Sequence, residues 1–218
     1  MSVVDFSSVD FSFPLDTDYS AGKTGVFWDV NDFPVPDGRG IREIVEFVLR
    51  ENGYTGEISI TVYGDKDPFS AEEAAKGGFT FVQRSDEYWR INDMLLDIAL
   101  WAVNSPYPPD RNPANVMVLA KNKENTDFVS FLQNLNNQDF NVLLVVPDDV
   151  KPEEVNVSSV NVAWYWKSIQ GDGKPIPQKE FRVLLDQQRD YLRSLYKDDD
   201  DVAEDDVGEG ICDRCLND

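Results

Sequence analysis

The stretch Thr24-Gly25-Val26-Phe27-Trp28-Asp29 decides the fold. Its apolar residues are consecutive rather than alternating, the pattern of a strand covered on both faces, and it ends in a carboxylate. Upstream, residues 1–22 are rich in Ser and Asp. They carry only a short echo, Val3-Asp5-Phe6-Ser7 against Val9-Asp10-Phe11-Ser12, so a flexible arm is expected there. Downstream, a loop with Pro34, Pro36, Gly38 and Gly40 leads to Ile41, Ile44, Val45, Val48 and Leu49 at helical spacing, and Asn52-Gly53 supplies a stop. Ile58, Ile60 and Val62 then alternate up to Tyr63-Gly64-Asp65, which reads as a second strand.

The alternation continues. A short helix is expected at 70–76, a strand at 79–82 and a long helix at 86–103. In the long helix Trp89, Met94, Leu95, Ile98, Trp101 and Ala102 read as the buried side, and Asp86, Arg90, Asp93 and Asp97 as a polar stripe. A Pro-rich loop at 105–113 precedes a strand at 116–119, a helix marked by Phe128, Phe131, Leu132 and Leu135, and a strand at 142–146. The segment 160–166 reads as an edge strand. Phe181, Leu184, Leu185, Leu192 and Leu195 mark a C-terminal helix that either docks on the domain or serves a partner. Strands alternating with helices imply an α/β, three-layer, Rossmann-like domain with a mostly parallel sheet. The expected organisation is an arm at 1–22, a domain at 23–170, a linker and helix at 171–196 and a disordered acidic tail at 197–218.

Composition narrows the chemistry. The 218 residues contain no histidine, which excludes imidazole acid/base catalysis, Ser-His-Asp and Cys-His triads, and His-containing zinc sites. The two cysteines, Cys212 and Cys215, form a lone pair near the C-terminus, half of what a structural zinc needs. The net charge of −21 repels phosphate backbones. The stretch from Lys197 onward holds ten acids against two bases, so most of the excess lies in the rest of the chain. Nucleic-acid binding would need a bound cation or a local basic patch. No apolar run reaches bilayer-spanning length and no secretory signal is evident, so an intracellular protein, cytoplasmic or nuclear, is expected.

In open parallel sheets, ligands bind outside the carboxyl ends of the strands. Asp29 ends the first strand, Asp32 follows it, Asp65 ends the second, Asp127 opens the helix at Phe128, and Asp97 reaches the same rim from its helix. Converging carboxylates would be held together by Mg²⁺ or Mn²⁺, which activate water for in-line phosphoryl transfer without histidine. Each acid also has a plain structural reading: Asp127 beside a cap at Thr126, Asp32 ordering a turn, Asp65-Lys66-Asp67 a solvated loop, and Asp86, Asp93 and Asp97 one wet helix face.

Four stretches resemble the NYN domains of plant proteins related to limkain, the meiosis regulator and mRNA stability factor. They are Lys23-Thr24-Gly25-Val26-Phe27-Trp28-Asp29-Val30-Asn31-Asp32-Phe33-Pro34-Val35-Pro36, Tyr63-Gly64-Asp65-Lys66, Met94-Leu95-Leu96-Asp97-Ile98-Ala99-Leu100-Trp101-Ala102, and Thr126-Asp127-Phe128 with Asn141-Val142-Leu143-Leu144. The resemblance implies a PIN-like fold and a metal-dependent endoribonuclease acting on single-stranded RNA in RNA processing or gene regulation. Asp29, Asp97 and Asp127 would be catalytic acids, and these three with Asp32 would hold Mg²⁺ or Mn²⁺. For limkain relatives it also implies association with peroxisomes.

One segment departs from that pattern. Family members carry Ser-Gly-Asp followed closely by Asp-Phe, whereas this chain reads Ala120-Lys121-Asn122-Lys123-Glu124-Asn125-Thr126-Asp127-Phe128. Asn122 takes the place of an aspartate, and two lysines flank the position. The helix also offers Ile91 and Asn92 where relatives place another acid. Two outcomes stay open. In one, the remaining acids, with Glu124 substituting, hold one metal and cleave RNA slowly. In the other, Lys121 or Lys123 neutralises them and leaves a silent module that binds RNA or protein, with the C-terminal helix or acidic tail as a protein contact.

Other signals read as structural. Gly171-Asp172-Gly173-Lys174-Pro175 is a turn rather than a phosphate loop, and Trp89, Trp101, Trp164 and Trp166 are core before they are base-stacking groups. Asn31 stands where an aspartyl-phosphate phosphatase needs its second Asp.

Overall fold

The computed structural model describes residues 17–67, 69, 77–105, 114–121, 127–149 and 160–197. Six strands, β1 (Thr24–Asp29), β2 (Ile58–Gly64), β3 (Thr80–Gln83), β4 (Asn115–Leu119), β5 (Asn141–Val146) and β6 (Val162–Tyr165), form one sheet in the order β3-β2-β1-β4-β5-β6. Every neighbouring pair is parallel. All six residues of β1 are buried, which explains its unbroken apolar run: it lies between β2 and β4 with helices over both faces.

The helices are α1 (Ile41–Glu51), α2 (Glu87–Asn104), α3 (Phe128–Asn137), α4 (Trp166–Gln170) and α5 (Gln178–Lys197). On one face, Val26, Trp28, Val62, Met117 and Val145 pack with Ile44, Val45, Val48 and Leu49 of α1 and Ile169 of α4. On the other, Phe27, Tyr63, Val118 and Leu144 pack with Ile91, Met94 and Ile98 of α2 and with Phe128, Leu132 and Leu135 of α3. The result is the expected three-layer α/β/α domain. Phe181, Leu184 and Leu185 lie against the second core, so α5 docks on the domain and does not stand off it.

Two glycines earn their places by geometry. Gly53 closes α1 at φ +84°, beyond the C-cap Asn52. Gly25 lies under the Trp101 indole, where an added Cβ would approach a ring carbon to 2.7 Å, so α2 approaches β1 more closely than any side chain at this position allows.

The expected short helix at 70–76, the loop at 106–113, the acidic tail and the Cys212–Cys215 pair lie outside the described residues. The part of the arm nearest the domain belongs to the folded body: the Thr55 amide donates to the Ser20 carbonyl at 2.7 Å, and the Asn115 amide nitrogen donates to the Tyr19 and Gly22 carbonyls. Trp89 departs from expectation. It is 60% exposed, whereas Arg90, expected in the polar stripe, is 3% exposed and inside.

Candidate functional site at the carboxyl ends of the strands

β1 leads outward through α1 to β2, β3 lies beyond β2, and the chain then crosses back to β4 on the other side of β1. The switch in strand order therefore falls between β1 and β4, and the crevice beyond their carboxyl ends is where such sheets hold ligands. The chain after Asp29 has no glycine-rich phosphate turn. Instead it folds back on itself, with the Phe33 amide donating to the Asp29 carbonyl at 3.0 Å and the Trp28 indole N–H donating to the Phe33 carbonyl at 2.6 Å. This turn sets Asp32 at the crevice. Its Oδ2 accepts from the backbone amide of Lys121 at 2.9 Å and so ties the end of β1 to the end of β4.

Asp29 is 1% exposed. Its Oδ2 accepts from Arg90 Nε at 2.6 Å, and its Oδ1 accepts from the Asn31 amide at 2.9 Å. The second arm of the guanidinium donates to the Arg84 carbonyl at 3.2 Å. Burial pushes the Asp29 carboxyl above the usual carboxylate range and the negative charge of Asp32 adds to this, while the Arg90 bond and charge pull the other way. The cation expected from Lys121 or Lys123 thus comes, for Asp29, from α2. Lys121 contributes its backbone amide to Asp32, and Lys123 lies outside the described residues.

Asp97 lies one strand over. Tyr63, the register partner of Asp29 in β2, donates its hydroxyl to Asp97 Oδ2 at 2.8 Å. Burial, then the charge of Asp97, raises the Tyr63 phenol far above its ordinary value. Asp93, one turn earlier, is paired with the Arg84 guanidinium. Asp86 caps α2 by accepting from the Trp89 amide at 2.9 Å. The expected wet face is therefore a row of individually partnered acids. Asp127 occupies the N-cap position of α3 without a side-chain cap bond, and Asn122, Glu124 and Thr126 lie outside the described residues.

Of the four acids expected to hold metal, Asp29 and Asp32 are near enough to interact, and Asp97 sits over the neighbouring strand. Among the described residues no three acids or cysteines come together as a cation site. Both oxygens of Asp29 are engaged within the protein, one of them by the Arg90 guanidinium. The described residues in this arrangement do not fit a divalent ion.

A family model for the NYN domain matches residues 23–163, which spans β1 through the first half of β6. The chain belongs to the NYN domain family. No curated protein matches it. An NYN domain is a PIN-like, nuclease-type domain linked to RNA, and nuclease members of the family generally depend on divalent metal. Among its described residues no helix is long and apolar enough to cross a membrane. The residues that sequence reading missed in this NYN domain are Arg90 and Tyr63, each the partner of an acid on a distant segment, and Arg84, which pairs with Asp93 on the helix that follows it.

Proposed function

We propose that this NYN domain is a regulatory RNA-binding module that engages single-stranded RNA at the carboxyl rim of its sheet and does not cleave it. The observation that carries this reading is the division of the rim acids among separate protein partners: Asp29 with Arg90, Asp32 with the Lys121 amide, Asp93 with Arg84 and Asp97 with Tyr63. Carboxylates spent in this way do not gather on a cation, and no hydrolytic step runs through them.

Binding has other resources at the same rim. Lys66, Lys121 and Lys167 each follow the end of β2, β4 or β6 by two residues. Tyr88 and Trp89, at the start of α2 just past β3, are exposed and meet edge to face at 5.5 Å between centroids. Exposed aromatic faces stack unpaired bases regardless of sequence, at about 1–3 kcal/mol per base. Asp65, Asp67, Asp148 and Asp149 stand among the bases on these loops, so phosphate contacts contribute little and the salt dependence is shallow.

The test measures retention and cleavage of a fluorescent single-stranded RNA by wild type, Trp89→Ala and Asp29→Asn, with and without Mn²⁺. Wild type should bind without cleaving, and Trp89→Ala should weaken binding about tenfold. Failure of wild type to retain RNA would end the RNA reading. Mn²⁺-dependent cleavage that disappears in Asp29→Asn would instead restore the endoribonuclease reading, with Asp29, Asp97 and Asp127 as catalytic acids and Asp32 as a further metal ligand.

A further inference from the structure

We infer that Arg90 is the resident counter-ion of Asp29 and keeps a divalent cation off the end of β1. The inference deepens the reading above, on which it rests for the absence of cleavage, but its test reads metal rather than RNA.

Arg90 is held from three directions. Its helix is fixed by Ile91 and Met94 in the core, its Nε is 2.6 Å from Asp29, and its terminal nitrogen donates to the Arg84 carbonyl. A divalent ion that took Asp29 would have to expel this guanidinium from a position 3% exposed. It would also leave the guanidinium without a carboxylate partner, a loss of a few hundredfold in cation affinity. The Asn31 amide on Oδ1 adds to the exclusion by fixing the second oxygen toward the backbone. Arg90 thus supplies from within the chain the positive charge that a rim acid otherwise takes from solution.

The decisive measurement is Mn²⁺ binding, followed by the electron paramagnetic resonance of free Mn²⁺, in the full chain. The four proteins are wild type, Asp29→Asn, Arg90→Gln and the double variant Asp29→Asn/Arg90→Gln, at moderate salt to suppress loose binding to the acidic surface. Wild type and Asp29→Asn should be indistinguishable. Arg90→Gln should gain one site about a few hundredfold tighter than that background, and the double variant should lose it. A wild-type site that vanishes in Asp29→Asn overturns the inference, as does a folded Arg90→Gln, checked by circular dichroism, that gains nothing. If Arg90→Gln does not fold, the comparison of wild type with Asp29→Asn still decides. Failure to bind RNA would sink the proposed function and leave the manganese comparison standing, whereas a wild-type manganese site would sink this inference even with RNA bound.

Discussion

The two ends of the sheet bury polar groups in opposite ways. At the amino ends of β1, β4 and β5 lie Thr24, Asn115 and Asn141, all buried and all neutral. Asn115 donates to the Tyr19 and Gly22 carbonyls and to Thr24 Oγ1, while Asn141 donates to Asn115 Oδ1 at 2.7 Å and to the Tyr54 hydroxyl. This network closes on itself and pins the incoming chain. At the carboxyl ends the buried polar group is an ion pair, Asp29 with Arg90. A neutral, satisfied network loses little on desolvation, but a buried ion pair is often no more stabilising than apolar residues of the same shape. Stability accounts for the lower end. It does not account for the upper end, which is the end that open parallel sheets use for ligands.

The comparison is broken most severely at Arg90. Arg90→Met leaves the Asp29 carboxylate buried without its cation and should destabilise the fold by about 3–5 kcal/mol at neutral pH, measured by urea unfolding. The pH dependence has a definite sign. Burial already holds Asp29 above the carboxylate range in the folded state, and losing Arg90 removes the hydrogen bond and the positive charge that pull it down. An acid raised by folding contributes its stability below the unfolded pKa and loses it as pH rises through the folded one. The gap between Arg90→Met and wild type should therefore be widest at neutral pH and shrink as the solution is acidified and Asp29 takes up a proton.

At the opposite end the expected loss is smaller and does not depend on pH. Asn115→Leu keeps the volume roughly constant, takes the Oδ1 acceptor from Asn141, and removes the Asn115 donor from the Gly22 carbonyl and from a Tyr19 carbonyl that the Gly22 amide also serves, at about 2–3 kcal/mol. Amide exchange should quicken at Thr55, whose N–H is bonded to Ser20 in the segment that Asn115 holds. An equal loss at low and neutral pH would mark this end as structural, in contrast to Arg90.

Much of this was legible in the order of residues. The apolar run of β1, the alternation of β2 and the spacing of α1 each report how many faces a segment buries, which is local information. The site was legible only in part, because an ion pair joins Asp29 to a residue 61 positions away and no local pattern carries that. One signal was nonetheless present. Arg90 lies four residues before Met94 and eight before Ile98, squarely in the apolar stripe of α2, while Trp89 lies off it. Spacing alone would have put the arginine inside and the tryptophan outside. Residue type overrode spacing, since tryptophan is counted as core and arginine as surface. Asn122 and its neighbours, singled out as the departure from the family pattern, gave no hint that the positive charge on Asp29 comes from a different element.

The finest distinction concerns the second rim acid, Asp97, and is tested by Tyr63→Phe. The substitution removes one O–H donor to a carboxylate that is half-buried and can turn toward water, so the expected loss at neutral pH is only about 1 kcal/mol. Its value lies in the alkaline limb. Burial and the Asp97 charge hold the Tyr63 phenol well above its ordinary value, so in wild type this hydroxyl stays protonated while folded and ionises on unfolding. Such a group adds stability below the unfolded tyrosine pKa and withdraws it as pH climbs beyond that point. Phenylalanine has nothing to ionise. The deficit of Tyr63→Phe should therefore narrow as pH rises past the ordinary tyrosine range, and thermal unfolding followed across that range would detect it. A deficit that stays constant would mean that the phenol titrates alike in both states, and that Asp97 faces water at the rim and not Tyr63.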